Sequence, residues 1–275
     1  MLLLTTQALP QMREYAHPNL GRLLTPRHFP RLHETLTDGF PVAADNDCFH
    51  AYRPQAIAKL FEAIVEWPSV LARIHRAWAA LNPRYYRSTA HGLVPDLELM
   101  RPPPLPELPA NLLWVAVPDV LRCACGAPEF HRKPERGSDC APRGDADATL
   151  ERFREWHVWL CHLPLAFVLQ DRSERPGRVP WDAPGLAGVF VGGSDAWKLG
   201  PDAARLVREA RARGLYAHMG RVNSEKRIRY AKSIGCTSVD GTSWVTWRNA
   251  HLQDGLDCCA RAREEPVSWQ TRLSL

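Results

Sequence analysis

The hydrophobic and polar positions between Gly188 and Thr242 alternate between two periods. Three short apolar runs, GVFVGG, LYAHMG and CTSVDG, each end in glycine or in a residue with usable chemistry. Between them lie two helical patterns. The first has Pro201 where a first-turn proline is tolerated, Ala203, Leu206, Val207 and Ala210 on one face, and Gly214 as its stop. The second takes Ser224 as N-cap, buries Ile228, Ala231 and Ile234, and ends at Gly235. Strands and helices joined in this way by short loops make parallel strands with helical crossovers, and such folds carry their chemistry at the C-terminal strand ends.

Further strands are expected at Leu2–Thr6, at Pro41–Asp47 (PVAADND), at Leu112–Asp119 (LLWVAVPD) and at Leu165–Asp171 (LAFVLQD). Helical spacing recurs over Pro54–Leu81, with a kink expected at Pro68, over Ala146–Leu160, and again in a final helix at Leu256–Arg263. The stretch between Thr6 and Pro30 reads as a polar loop whose His17, Arg22, Arg27 and His28 form either a basic rim or a solvated surface. Arg122–Gly144 reads as an irregular insertion. This makes seven strands, with an eighth expected within Tyr85–Leu99, in a single domain spanning residues 1–275. Seven or eight strands separated by helices favour an α/β fold, a TIM-like (β/α)8 barrel. An open doubly wound sheet is the alternative, but VGGSDAWKL lacks the G-x-G-x-x-G phosphate fingerprint.

Composition adds limits. A 275-residue chain with 45% hydrophobic residues can bury a sizeable core, and a net charge of +5 permits a nucleic-acid partner without requiring one. No run approaches the ~20 apolar residues of a membrane span, and the N-terminal apolar run is shorter than a signal peptide, so a cytoplasmic protein is expected. Eight cysteines then read as reduced thiols or metal ligands.

In a barrel, Asp45, Asp119, Gln170, Gly192, Gly193, Met219 and Asp240 would converge on one mouth. Paired acids can supply a nucleophile and a general base. Acids and amides can also read a purine edge, an Asp accepting from guanine N1–H and its amine while a Gln amide or a Gly N–H serves the carbonyl. Singly, each of these acids could equally cap a helix or pair with an arginine.

The motifs AADNDCF (Ala43–Phe49), VAVPD (Val115–Asp119), FVLQD (Phe167–Asp171), FVGGSDAWKL (Phe190–Leu199), HMGRVNS (His218–Ser224) and IGCTSVDGT (Ile234–Thr242) resemble, in order, those of the guanine transglycosylase superfamily. These are (β/α) barrels that exchange guanine in tRNA for a 7-deazaguanine. The chain is most similar to the shorter branch of phages and bacteria thought to act on DNA. The resemblance implies Asp240 as nucleophile and Asp45 as general acid/base, with Asp119 and Gln170 reading the base. Gly193 would offer a backbone N–H, with Gly192 beside it, and Met219 would cover the ring. It implies double displacement through a covalent glycosyl-enzyme, with a free 7-deazaguanine base as the incoming group and no organic cofactor. A guanine that is flipped out of DNA, or already single-stranded, is the expected substrate, with tRNA as the rival. Where the tRNA enzymes have Ser-Gly-Gly-Phe after the first aspartate, Asn46, Asp47 and Cys48 precede Phe49 here. Asn46 and Phe49 thus join the substrate-binding candidates, and Asp47 is a second candidate base. The zinc spacing that the tRNA enzymes place after the nucleophile strand is missing.

The insertion offers Cys123, Cys125, His131 and Cys140, a sound tetrahedral set for a structural Zn2+, or else incidental cysteines on a loop. Arg221, Asn223 and Lys198 are the candidate nucleic-acid contacts, with Arg221 beside a helix N-terminus that suits phosphate. His218 reads either as a substrate contact or as a packed strand-end histidine. Two other function classes fit the same residues. A non-catalytic nucleic-acid-binding barrel would bind in a salt-sensitive way, and a metallohydrolase would use Asp45, Asp119, His218 and Asp240 as ligands.

Overall fold

The computed structural model describes residues 1–6, 17–24, 39–46, 86–89, 92–95, 110–125, 142–161, 163–244 and 251–264. Eight parallel strands close into a barrel: β1 (Leu2–Thr5), β2 (Leu20–Leu24), β3 (Val42–Ala44), β6 (Leu112–Ala116), β9 (Leu165–Leu169), β10 (Leu186–Val191), β11 (Tyr216–Met219) and β12 (Ser238–Asp240). Around the ring they follow chain order, and β12 returns to pair with β1 in the register Leu4 to Asp240. The barrel is the α/β architecture that the alternation predicts. Two antiparallel hairpins stand outside it, β4 (Tyr86–Thr89) with β5 (Gly92–Pro95), and β7 (Leu121–Cys123) with β8 (Pro142–Gly144).

Side chains of a strand point alternately to the two faces, and the barrel therefore has two cores. Leu4, Leu23, Ala43, Trp114, Ala116, Ala166 and Val168 fill the interior. The alternate residues, among them Val42, Val115, Phe167, Val189, Ala217, Met219 and Val239, pack outward against the helices. Those helices are α1 (Ala146–Leu160), α2 (Asp195–Lys198), α3 (Pro201–Ala212), α4 (Glu225–Ile234) and α5 (Leu252–Glu264). Their local signals operate as expected. Pro201 opens α3, the Ser224 hydroxyl accepts from the Arg227 amide at the start of α4, and Gly235 closes α4 at φ 107°, a conformation that favours glycine.

Three expectations are corrected. The eighth barrel strand comes from Leu20–Leu24, inside the stretch read as a loop, while Tyr86–Pro95 forms a separate hairpin. Arg22 belongs to that strand. It faces outward, is buried, and sits over the Phe40 ring at 5.8 Å, so it forms no basic rim. The insertion is not wholly irregular, because its two ends pair as β7 and β8, with Leu121 opposite Gly144. The final helix starts earlier than expected, at Leu252. Among the described residues no helix is long and apolar enough to cross a membrane.

Candidate active site at the barrel mouth

The C-terminal strand ends carry two hydrogen-bonded networks. The first centres on Asp119, which follows β6 and is 4% exposed. Its Oδ1 accepts from the Asn46 amide at 3.0 Å, and its Oδ2 accepts from the Gln170 amide. Asn46 also donates to the Val117 carbonyl at 3.1 Å. The other end of the Gln170 amide accepts the Gly193 N–H at 3.0 Å. Four strand ends, those of β3, β6, β9 and β10, are thereby joined. Helix α1 braces the group from outside. The buried Arg152 donates to the Asp119 carbonyl at 3.0 Å, and the Thr149 hydroxyl receives the Val120 amide at 3.0 Å. Ser173 fixes Gln170 by accepting its backbone N–H at 2.8 Å. Buried polar groups need such partners, since an unpaired one costs roughly 1–3 kcal/mol.

The second network surrounds Asp240. Because Asp240 and Ser238 share the inward face of β12, and His218 is paired with Ser238 in register, all three side chains point into the barrel. His218 Nε2 lies 2.9 Å from Asp240 Oδ2, and its Nδ1 lies 2.9 Å from the Ser238 hydroxyl. An ionised Asp240 only accepts, so in the neutral imidazole Nε2 carries the proton and the serine hydroxyl donates to Nδ1. The Arg221 amide donates to Asp240 Oδ1 at 3.3 Å. The His218 ring is fully buried, with the Trp114 ring 4.9 Å and the Phe190 ring 4.7 Å away. Asp240 keeps a side-chain exposure of 18%. A carboxylate so placed is open on one side and held on the other, which suits a nucleophile. Gly220 makes this possible, since a Cβ there would stand 2.8 Å from the Phe190 ring and 3.4 Å from Asp240 Oδ2.

A third group sets the turn that follows β11. Lys198 is fully buried, and its Nζ donates to the Gly220 carbonyl at 2.9 Å while lying 3.1 Å from Asp195. Burial, reinforced by the Arg221 charge, pulls its pKa below the usual lysine value. Asp195 also meets Arg227 at 2.7 Å. Burial works to raise the Asp195 pKa, but hydrogen bonds from Arg227 and Lys198 prevail and hold the carboxyl below its ordinary value. Arg221 adopts φ 59°, rare outside glycine, and its guanidinium donates to the Gly193 carbonyl.

Several expected roles shift. Met219 is fully buried in the outer core, because His218 takes the inward position of β11; its side chain does not face the mouth. His218 is sealed behind Asp240 and has no surface to offer a substrate. Lys198 is fully buried with its ammonium on the Gly220 carbonyl, and Asn223, though exposed, accepts the Ser243 amide at 3.1 Å. The Gly193 N–H is occupied by Gln170. Gly192 donates to the Leu169 carbonyl at 2.9 Å, which continues the ladder. Asp45 sits half-buried at the end of β3, with its amide on the Leu24 carbonyl at 2.8 Å.

Ser238, Arg152 and Asp171 were not anticipated. Ser238 was findable, since it lies two residues before Asp240 and so on the same face. The Cys125 thiol stands 3.1 Å from that of Cys123. His131, Cys140, Asp47 and Phe49 lie outside the described residues. Among the described residues no group of three or more His, Cys, Asp or Glu side chains is arranged around a common metal position. Comparison of the chain with protein-family models, with curated proteins and with solved structures finds no match.

Proposed function

We propose that this barrel is a DNA-guanine transglycosylase that exchanges guanine for a 7-deazaguanine by double displacement. The observation that carries the reading is the pairing of a buried carboxylate–amide network, Asn46–Asp119–Gln170–Gly193, with a separately supported carboxylate, Asp240, at one mouth. In this reading a guanine edge displaces the internal Gln170–Asp119 bond. Asp119 then accepts from guanine N1–H and the exocyclic amine, and the Gln170 amide turns to the carbonyl. Asp240 attacks C1′, the C1′–N9 bond breaks, and its electron pair leaves with the guanine. A second base, losing its N9 proton to Asp45, attacks C1′ and releases Asp240. His218 keeps Asp240 oriented through both steps and donates a hydrogen bond to the ionised form. The nucleotide must be flipped out or single-stranded to reach the mouth.

The Cys123–Cys125 thiol pair supports a structural zinc in the insertion, completed by His131 and Cys140, and metal analysis of the purified protein tests that. The activity is tested by digesting DNA and tRNA from cells that express the protein and are supplied with 7-deazaguanine precursors, beside an Asp240→Ala control. A deazaguanine deoxynucleoside found only with the intact protein supports the proposal. A modified ribonucleoside in tRNA moves the substrate to RNA. No change in either nucleic acid refutes the exchange reaction.

A further inference from the structure

A cleft of about 660 Å³ opens beside the mouth. One wall is the β7–β8 hairpin with the start of α1, and the other is the turn after β9 together with Ser194 at the start of α2. It adjoins the base-reading network on both sides. Gly144 lies so close to the Gln170 side chain that a Cβ there would stand 1.9 Å from Oε1, and Ser194 directly follows Gly193.

The cleft holds three arginines and three aspartates, yet their charges are not equally available. Asp145 accepts the Ala148 amide at 3.0 Å as the N-cap of α1 and is paired with Arg122. Burial acts to raise its pKa, but these partners prevail and hold the carboxyl below its ordinary value. Asp171 accepts the Ser194 amide at 2.7 Å and the Ser194 hydroxyl at 2.6 Å. Asp147 is paired with Arg178. Asp145 and Asp147 are thus each paired with an arginine, and both oxygens of Asp171 accept hydrogen bonds from Ser194. Arg143 and Arg172 are exposed, and among the described residues their guanidiniums have neither ion pair nor hydrogen bond. Arg172 is also held at φ 78°, a conformation that costs a non-glycine residue free energy. Two uncommitted guanidiniums therefore line a groove beside the mouth, where a nucleic-acid strand would have to pass. When its base enters the mouth, the neighbouring phosphates must cross the rim.

We propose that this cleft binds the phosphodiester backbone flanking the nucleotide in the mouth, with Arg143 and Arg172 as the phosphate contacts. The proposal rests on the nucleic-acid substrate named above, but not on base exchange. The test is binding of a fluorescent single-stranded DNA 12-mer across a salt series, without any free base. Wild type is compared with Arg143→Gln/Arg172→Gln and with Arg175→Gln/Arg208→Gln, a control pair outside the cleft. Each phosphate neutralised on a single strand contributes about 0.7 to the slope of log K against log salt, so the cleft pair should flatten that slope by roughly 1.4 and weaken binding roughly tenfold near 0.15 M salt. The control pair should change neither. An unchanged slope in the cleft pair overturns the proposal, and so does an equal change in the control pair. Displacement of the DNA by inorganic phosphate at equal ionic strength would also overturn it, because the cleft would then hold a lone phosphate. A flattened slope in a protein that exchanges no base leaves the cleft standing and removes the transglycosylase reading.

Discussion

Adding one methyl group at Gly144 probes how the insertion supports the mouth. An ideal Cβ at this position would lie 1.9 Å from Gln170 Oε1, 2.2 Å from its Cδ and 2.8 Å from its Cγ, distances that real Cβ atoms essentially never show. The Gln170 side chain cannot simply swing into solvent, since the residue is 2% exposed. Moving it breaks the bond to the Asp119 carboxylate, worth about 1.5–3 kcal/mol as a charged hydrogen bond, and the bond from the Gly193 amide, worth about 0.5–1.5 kcal/mol. Gly144→Ala should therefore destabilise the protein by roughly 2–4 kcal/mol and lower the thermal midpoint by roughly 3–8 °C. Denaturant unfolding of Gly144→Ala, Gln170→Ala and the double variant measures the coupling. With Gln170 truncated, the added methyl should cost less than about 0.5 kcal/mol. An equal cost in both backgrounds would refute the reasoning and locate the strain in the β7–β8 hairpin itself.

Replacing His218 by Leu keeps the ring-lined space filled but removes the hydrogen bond to Asp240, so kcat for the proposed base exchange should fall roughly 10- to 150-fold, the equivalent of about 1.5–3 kcal/mol, with KM unchanged; a parallel rise in KM would show that His218 contacts substrate. The folded Asp195 carboxyl lies below its ordinary value, so its ties to Lys198 and Arg227 are fully present above about pH 3.8 and are lost as pH falls through the folded value. Asp195→Asn should accordingly flatten the acid limb of a stability–pH curve, and an unaltered limb would contradict the assignment. Burial pushes the thiols of Cys236 and Cys259 up to about 12, whereas Cys125 and Cys161 are exposed. Brief alkylation of the native protein at pH 8, read by peptide mass spectrometry, should modify Cys161 and spare Cys236 and Cys259; equal labelling of all three would show that the packing around the two buried thiols opens readily.

What the sequence makes legible here is what depends on near neighbours. Pro201, Ser224 and Gly235 mark helix ends because capping and left-handed φ are properties of a few adjacent residues. The apolar runs ending in Asp119, Gln170 and Asp240 mark strand ends for the same reason. β2 is hidden because its five residues include a glycine and an arginine, and Arg22 becomes a strand residue only once Phe40 and the outer layer cover it. The facing of β11 is set by long-range register: Ser238 points inward with Asp240, so its neighbour His218 does too, and Met219 is turned to the helices. Lys198 looks like a surface cation in one dimension, and only the arrival of the Gly220 carbonyl and Asp195 gives its ammonium an interior place. The hairpin stem at Leu121–Cys123 and Pro142–Gly144 escapes notice because its strands are three residues long.

The closure of the barrel has a consequence for synthesis on the ribosome. Leu2 pairs with Ser238 and Leu4 with Asp240, so the first strand made must wait for the last. The two are 238 − 2 = 236 residues apart, which at roughly 5–20 residues per second is roughly 12–47 s of translation. Throughout that interval one hydrogen-bonding edge of β1 faces no barrel partner, even after β2 has covered the other. An apolar edge left open for so long is a site where nascent chains can cross-pair. The strand that bears Asp240 is then both the last piece of the mouth to arrive and the one that seals this edge, so the candidate nucleophile comes into position only when the nascent chain has become safe from its neighbours.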